Sequence, residues 1–423
     1  MQSRLIVKNF GPIEYVDLDL RNVNVFIGPQ ASGKSALAKL YTIFKAPRKF
    51  LKNGNSEIKA SFIEALEEYN IASFLKQDSE ISFECEIHTL TYSNEEINYN
   101  PKLKHEIEEI SAQNELFKRA ELLDFTVKDK IKKLERYQSI VPKWHEININ
   151  NTHENKYNQF CQVITTATEI ENYLSTQAPT YIAAERSFIN LVKDFSFNLL
   201  LNKVPIPKHI LLLGAEMERY ASNEIDLTFL NDKLVYRNIN GEGRIFVNEQ
   251  TSIKLIEAAS GIQSAVNILI PILSHDKTSY QRSFVIEEPE LNLFPSAQYA
   301  LIKKIESLRQ EAYFSDTGAI HTYTTHSPYI LSAFNNLLYA SKVWNEKGSP
   351  ASVNYSSDIE GKLKEIIPEN ANIPPGIFSA YQIKNGTAKT IFDREKGLII
   401  DNYIDDVSDE MGDDFDALTS LMK

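Results

Sequence analysis

The sequence predicts an α/β fold: a mixed-sheet core with an N-terminal antiparallel β subdomain and a helical insertion. Three observations predict it. Residues Gly28 to Ser35 read GPQASGKS and fit G-x-x-x-x-G-K-[ST], a loop that needs a strand before it and a helix after it. Residues Phe284 to Pro295 read FVIEEPELNLFP, a short apolar run closed by two adjacent carboxylates and a proline that ends ladder pairing. Residues His321 to Thr325 read as another strand, which runs into Thr-His-Ser-Pro at Thr325 to Pro328. Each run delivers polar groups to the carboxyl end of a strand, where open α/β sheets bind ligands.

The elements follow in order. Arg4 to Phe10 reads as a strand, Gly11-Pro12 as a turn, and Val16, Leu18 and Leu20 alternate in a second strand. Val23, Val25 and Ile27 alternate in a third, which leads into the glycine loop. Ala36 to Phe44 then carries apolar residues at helical spacing. Glu57 to Tyr69 is amphipathic and helical. Ile81 to Ile87 alternates as a half-buried strand, with Thr89 to Tyr99 as its hairpin partner and Ser93-Asn94 at the turn. Residues 101–178 are polar and mostly helical in pattern, most clearly at Lys102 to Lys118 and Lys128 to Tyr137. At about 1.5 Å per residue this segment is too short for a long coiled-coil arm and predicts a compact helical lobe. Thr180 to Ser187 reads as a strand ending in charge. Phe229 to Glu257 predicts hairpins, with a turn at Asn240-Gly241-Glu242-Gly243. Ala265 to Leu273 begins a long apolar helix, Ala297 to Arg309 forms another, and a third starts at Tyr329. The tail holds a hairpin around Asn385-Gly386 and an acidic helical end. The expected organisation is a first lobe over 1–100, the insertion over 101–180, completion of the lobe over 181–345 and a C-terminal extension over 346–423.

Bulk properties narrow the class. The 423 residues suffice for one large domain with insertions, or for two domains, and can bury a sizeable core. A net charge of −12 means that the surface as a whole does not attract nucleic acid, although a local basic groove stays open. The two cysteines, Cys85 and Cys161, are spaced for neither a metal site nor a disulfide framework, as expected in a reducing cytoplasm. Each reads as a buried small hydrophobe. No apolar run approaches a membrane span and the N-terminus lacks the form of a signal peptide, so a soluble cytoplasmic protein is expected.

The chemistry begins at the glycine loop. Gly28, Pro29, Gln30, Ala31, Ser32, Gly33, Lys34, Ser35 and Ala36 are expected to wrap a nucleotide's phosphates, using N–H groups of the loop and of the helix start. Lys34 should reach the β- and γ-phosphates and Ser35 should ligate Mg²⁺, so ATP and Mg²⁺ are the expected cofactors. Ala259 to Ser264, ASGIQS, sets the hydroxyl of Ser260 and the bare N–H of Gly261 at a helix start, an anion site that taken alone reads better as an ordinary N-cap. Taken alone, Glu287 and Glu288 read equally as a strand end running into an exposed acidic turn. His326 alone reads as a structural or exposed histidine, the usual case at a strand end. It joins the acids at one sheet edge if the neighbouring strands are parallel.

Phosphate loop, serine-glycine helix start, double-acid strand and strand-end histidine, in that order, resemble the ABC-type ATPases. Within them the chain is similar to the soluble branch of OLD, RecF and SMC-like proteins rather than to transporter subunits. The EEPE-x-x-L-x-P run at Glu287 to Pro295 and the THSP run at Thr325 to Pro328 resemble the OLD-type ATPases of bacterial defence systems most. The resemblance is specific at residues 1–44, 259–298 and 321–331. It implies an ABC-ATPase head that dimerises head to tail and sandwiches two ATP molecules. It implies that Glu287 is the Mg²⁺-associated acid, that Glu288 activates water, and that His326 is the switch histidine near the γ-phosphate. Ser260 and Gly261 match the signature, which acts on the partner subunit's ATP. Ala259 and Ile262 depart from the transporter consensus, and Phe294 stands where many OLD-type relatives carry His. Gln159, Gln162 and Gln177 are Q-loop candidates by position only. Arg186 resembles a recurrent arginine of this branch and reads equally as one half of a structural ion pair.

OLD-type proteins often carry a Toprim nuclease after the histidine strand. Here fewer than a hundred residues follow Pro328, and no apolar strand ending in Glu-Gly precedes the acids at Asp401 to Asp406. Those acids read as a solvated helical face. An ATPase head without its own nuclease is therefore expected, similar to the ATPase subunits of two-gene anti-phage systems such as Septu and PARIS. The partners this implies are a second copy through the ATP sites, a separate nuclease effector and a DNA or phage-derived trigger, with no membrane. The alternatives are a RecF-like repair ATPase that binds DNA directly, and a scaffold in which ATP locks an oligomer. A transporter subunit fits the signature and the EEPE run poorly.

Overall fold

The computed structural model describes residues 3–46, 55–85, 88–101, 178–219, 224–273, 283–311, 319–352, 354–400 and 403–421. Residues 102–177 lie outside them, and with them the expected helical insertion, Cys161 and the three Q-loop candidates. The N-terminal part holds β1 (Ser3–Phe10), β2 (Ile13–Leu20), β3 (Val23–Ile27), α1 (Lys34–Phe44), α2 (Asn55–Glu68), β4 (Leu75–Glu84), β5 (His88–Ser93) and β6 (Glu96–Pro101). Next come β7 (Thr180–Ile182), α3 (Phe188–Leu201), α4 (Lys208–Arg219), β8 (Glu224–Asp226), β9 (Val235–Ile239), β10 (Glu242–Phe246), β11 (Ser252–Lys254) and α5 (Ser260–Leu273). They are followed by β12 (Phe284–Glu287), α6 (Pro295–Glu311), β13 (His321–Thr325), α7 (Pro328–Val343) and α8 (Ser357–Ile366). Last are β14 (Phe378–Lys384), β15 (Thr387–Thr390), β16 (Phe392–Asp393), β17 (Leu398–Ile399) and α9 (Tyr403–Ser420).

Eleven strands form one mixed sheet in the order β6-β5-β4-β1-β2-β15-β14-β3-β13-β12-β7. The expected antiparallel subdomain is one wing of it: β1 pairs antiparallel with β2 and β4, and β4, β5 and β6 continue the meander. The other wing is parallel from β14 through β3, β13 and β12 to β7. Parallel strands are covered on both faces. Every residue of β3, β12 and β13 is buried. The sequence HTYTT of β13 is polar for such a place, and its polar groups are partnered. Asn24 on β3 donates to Thr322 Oγ1 of β13 at 3.1 Å and accepts from Ser379 Oγ of β14 at 2.8 Å. That bridge across three strands fixes their register, because a slip of one residue would strand buried polar groups.

β14 and β15 come from the expected C-terminal extension, yet they lie in the middle of the sheet, with Ala380 opposite Val25. A second sheet, β11-β10-β9-β8, holds the predicted hairpins of residues 229–257. Its Asn240-Gly241 turn, like Asn385-Gly386, has positive φ at both positions, which matches the twist of a two-residue hairpin. The turn expected at Ser93-Asn94 falls one residue later, at Asn94-Glu95 between β5 and β6. The strand expected over Thr180 to Ser187 stops at Ile182. Residues Ala184–Ser187 wind instead into a 3₁₀ turn, with the Arg186 N–H donating to Ala183 O at 3.3 Å. No helix among the described residues is long and apolar enough to cross a membrane.

The topology sets the site. β3, β13 and β12 are parallel neighbours, with Thr325 opposite Ile27 and Thr324 opposite Glu287. Their carboxyl ends therefore carry the glycine loop, His326 and the paired acids to the same edge.

Candidate active site

The loop after β3 is held by close packing. A side chain at Gly28 would land on the carbonyl oxygen of Ile383 in β14, so only glycine lets the two backbones approach this closely. Ala31 is left-handed at φ 58°. The first turn of α1 has no acidic residue and no side-chain cap, so its free N–H groups face the loop as an anion site. Lys34 is buried, and its ammonium donates to Gly28 O at 2.9 Å and Pro29 O at 2.8 Å. Burial pulls its pKa down to about 8, against the opposing pull of Glu288, Glu290 and Glu287. Lys34 therefore shares one electrostatic environment with three carboxylates of the FVIEEPE run. Ser35 is exposed at the start of α1.

At the end of β12, Glu287 is buried. Its Oε2 accepts from the N–H of Ala184 at 3.4 Å, and its Oε1 is buried with no hydrogen-bond partner among the described residues. An unpaired buried carboxylate oxygen is costly, and a hard divalent cation would satisfy it. No cluster of three or more His, Cys, Asp or Glu among the described residues forms a cage for a metal ion. Mg²⁺ takes one or two protein oxygens and completes its shell with phosphates and water. Glu287 and the Ser35 hydroxyl could hold it.

Glu288 stands next to it in a strained backbone, with φ at 42°. Its N–H donates to Thr324 O at 2.9 Å, which locks the strain to the end of β13. Left-handed φ at a residue other than glycine costs roughly 1–3 kcal/mol and gathers at functional sites. The Glu288 carboxylate is half-buried, with Oε1 3.4 Å from His326 Nε2. The hydrogen bond to His326 holds the Glu288 carboxyl below its usual range, against the effect of burial. The site thus combines an oriented carboxylate, an imidazole beside it and a buried amine.

Arg186 is wholly buried and departs from the ion-pair reading. Its guanidinium donates to Glu287 O and Glu288 O, each at 2.7 Å, to Ala183 O at 3.1 Å and to Ser264 Oγ at 3.0 Å. Its partners are backbone carbonyls and a hydroxyl because the side chain supports the backbone under the acids. It ties that backbone to α5.

Ser260 is exposed and begins α5, with Ala259 O accepting from the N–H groups of Ile262 and Gln263. Gly261 packs so tightly on Asn292 that a side chain there would strike the Asn292 carbonyl oxygen. The helix start thus meets the site through the far end of the loop after Glu288. Gln263 braces it by donating to Ile256 O and Ala258 O at 3.0 and 2.8 Å and accepting from Asn190 at 3.0 Å. Phe294, two residues beyond Asn292, is 77% exposed.

One group escaped the sequence reading. Glu290 Oε1 accepts from Thr325 Oγ1 at 2.8 Å and from the N–H of His326 at 2.7 Å. Its place as the last acid of EEPE was visible, but its partner lies 36 residues away on another strand.

A family model described as an AAA ATPase domain matches residues 1–331. No curated protein matches the chain. Among solved structures, it is similar to the Smc head domain of Pyrococcus furiosus with an extended coiled coil, bound to the C-terminal domain of ScpA. Identity there is 10%, coverage is 93% of this chain and 97% of that one, and the TM-score is 0.37. The SMC head domain of Thermotoga maritima gives 10% identity, coverage of 92% and 98%, and a TM-score of 0.38. The Smc head domain of Pyrococcus yayanosii, with a coiled coil and joint, gives 10%, 94% and 98%, and 0.36.

Proposed function

We propose a function from one premise: the chain belongs to the AAA ATPase domain family, and it is an ATPase. The reading is an ABC-type head that binds ATP with Mg²⁺ and hydrolyses it with Glu288 as general base. One observation carries it. The strained Glu288 faces His326 across 3.4 Å at a sheet edge shared with the glycine loop. Hydrolysis of a phosphoanhydride needs charge neutralisation around the transferred phosphoryl and an oriented water. The loop N–H groups and Lys34 supply the first. Lys34 gives up its bonds to Gly28 O and Pro29 O as phosphate oxygens replace them. Glu288 takes the proton of the attacking water, and His326 orients that carboxylate. Bound Mg²⁺ would neutralise charge on the β- and γ-phosphate oxygens, held by Ser35 and Glu287.

In this reading two heads close around two ATP molecules, and Ser260 and Gly261 of one head contact the ATP of the other. The exposure of Ser260 at its helix start supports that. Residues 1–100 and 181–345 form the ATPase lobes, and 346–423 contribute β14 and β15 to the middle of their sheet. The order of the motifs, above all the EEPE run and the THSP run, supports a sensor or regulatory subunit of an anti-phage system that controls a separate nuclease. The RecF-like reading predicts stimulation by bare DNA instead, and the scaffold reading predicts an ATP-dependent oligomer with incidental turnover.

The test is Glu288→Gln. It retains ATP binding and loses about 10²–10⁴-fold in turnover, the size of a general-base contribution. Full turnover in that variant would sink the assignment. Phosphate release with and without duplex DNA, and with the product of a neighbouring nuclease gene, separates the three roles.

A further inference from the structure

We propose that Glu290 is the positioning residue for His326: its carboxylate clamps the end of β13 to the loop after β12 and so sets the imidazole against Glu288. The proposal rests on the reading of Glu288 and His326 given above. The geometry is direct. One oxygen of Glu290 receives both the His326 N–H and the Thr325 hydroxyl. Thr325 Oγ1 in turn accepts from the N–H of Ser327 at 3.0 Å, so the three residues around the histidine hang from one carboxylate. A second tie runs in parallel. Ser327 Oγ donates to Gln298 Oε1 at 2.6 Å, and Gln298 Nε2 donates to Leu293 O at 2.9 Å. The loop of residues 288–293 thus holds the His326 N–H and the hydroxyl of Thr325 through Glu290, and the hydroxyl of Ser327 by way of Gln298.

The length of the arm matters. Glu288 and Glu290 leave the same short loop, with the Leu291 N–H on Glu288 O at 3.0 Å and the Leu293 N–H on Glu290 O at 2.9 Å. The carboxylate that acts on water and the one that holds the histidine therefore move as one body. A displacement of His326 by about 1 Å would cost roughly 10²-fold in rate, because proximity effects fall steeply with misplacement. Burial pushes the Glu290 carboxyl up, and its second oxygen is buried with no partner among the described residues. Glutamine reproduces the oxygen that does the holding, so the clamp needs the acceptor and its reach rather than the charge.

The experiment is steady-state ATP turnover in full-length Glu290→Ala, Glu290→Gln, Glu290→Asp and His326→Ala, and in the double variant of Glu290→Ala with His326→Ala. Glu290→Ala is expected to lower kcat about 10–100-fold while KM stays within about threefold, the pattern of lost transition-state geometry. Glu290→Gln recovers most of that loss, and Glu290→Asp, one methylene short, does not. In the His326→Ala background Glu290→Ala adds less than about threefold, because the group it positions is gone. Multiplying losses in the double variant, or a loss confined to KM, would overturn the proposal. If Glu290→Ala does not fold, the Gln and Asp variants decide: an active Asp variant with a weak Gln variant means that charge, not position, is required, and the proposal fails. Full activity in Glu288→Gln or in His326→Ala would refute the underlying reading instead, independently of Glu290.

Discussion

Replacing Arg186 with alanine tests how the backbone under the two acids is held. The guanidinium supports Glu287 O, Glu288 O, Ala183 O and Ser264 Oγ, and it is wholly buried. Each buried acceptor left without a donor costs about 1–3 kcal/mol. Alanine strands several of them and leaves a void, but it also removes the cost of burying a cation, which is itself several kcal/mol. Burial already draws the Arg186 pKa down to about 10, a sign of that cost. The opposing effects leave a net destabilisation of roughly 2–4 kcal/mol, within the range for breaking a buried network. Catalysis suffers separately. The left-handed backbone at Glu288 stores about 1–3 kcal/mol that the surroundings must hold. If removal of Arg186 lets the backbone relax, the carboxylate moves away from its water, and the same 1–3 kcal/mol corresponds to a loss of about 5- to 150-fold in kcat. Urea unfolding followed by circular dichroism measures the first effect. Phosphate release, at a temperature where both proteins stay folded, measures the second. Arg186→Lys should recover little, because an ammonium cannot span these acceptors as the planar fork does. A variant within about 0.5 kcal/mol of the parent, the scatter of an ordinary surface substitution, would refute the account of the network. Unchanged turnover in the folded variant would refute the link to Glu288.

Other consequences are testable in the same way. Gly28→Ala pushes a methyl onto the Ile383 carbonyl, and thermal unfolding should register a loss of about 1–3 kcal/mol together with loss of ATP binding. Lys34→Ala and Ser260→Arg are each expected to be inactive; mixed in equal amounts they should regain up to roughly a quarter of parental turnover, since a symmetric head-to-tail pair leaves one intact composite site in half of the dimers. No recovery would argue against sites shared between subunits. Between α6 and β13, Glu306 is buried with Arg309 at 2.5 Å and His321 at 3.1 Å, and it accepts from Tyr323 at 2.6 Å. Burial opposes the charge on Glu306, but Arg309, His321 and Tyr323 outweigh it and bring its pKa down to about 2, while burial lowers that of His321. Both groups bind protons more weakly folded than unfolded, so stability should fall as pH drops below about 6.5, through His321, and further from about 4.5 towards 2, through Glu306. Glu306→Ala removes the carboxylate that Arg309, His321 and Tyr323 share and should cost about 3–5 kcal/mol at neutral pH; a flat unfolding free energy between pH 7 and 3 in the parent would contradict the linkage.

The local elements were legible because local chemistry sets them. Alternation marked β1 to β3, and the Asn-Gly pairs marked two hairpins. The glycine loop was framed by its own strand and helix. The strand at Thr180 was overestimated because Glu185 and Arg186 read as a charged strand end, when Arg186 folds back beneath Glu287. The antiparallel wing was expected as a subdomain. Its continuity with the parallel wing was not legible, since nothing in residues 378–390 announces pairing with β2 and β3.

The sequence by itself determined which groups are available: a phosphate loop, two acids at a strand end, and a histidine before proline. It did so because motif spacing and backbone preferences are local, and they act before any tertiary contact forms. The tertiary structure decided who faces whom. Only the parallel pairing of β3, β13 and β12 brings Glu288 to His326. Only long-range hydrogen bonds enlist Glu290 and Arg186 as supports. Those contacts join residues 35 to 102 positions apart, and no local propensity specifies a partner at that range.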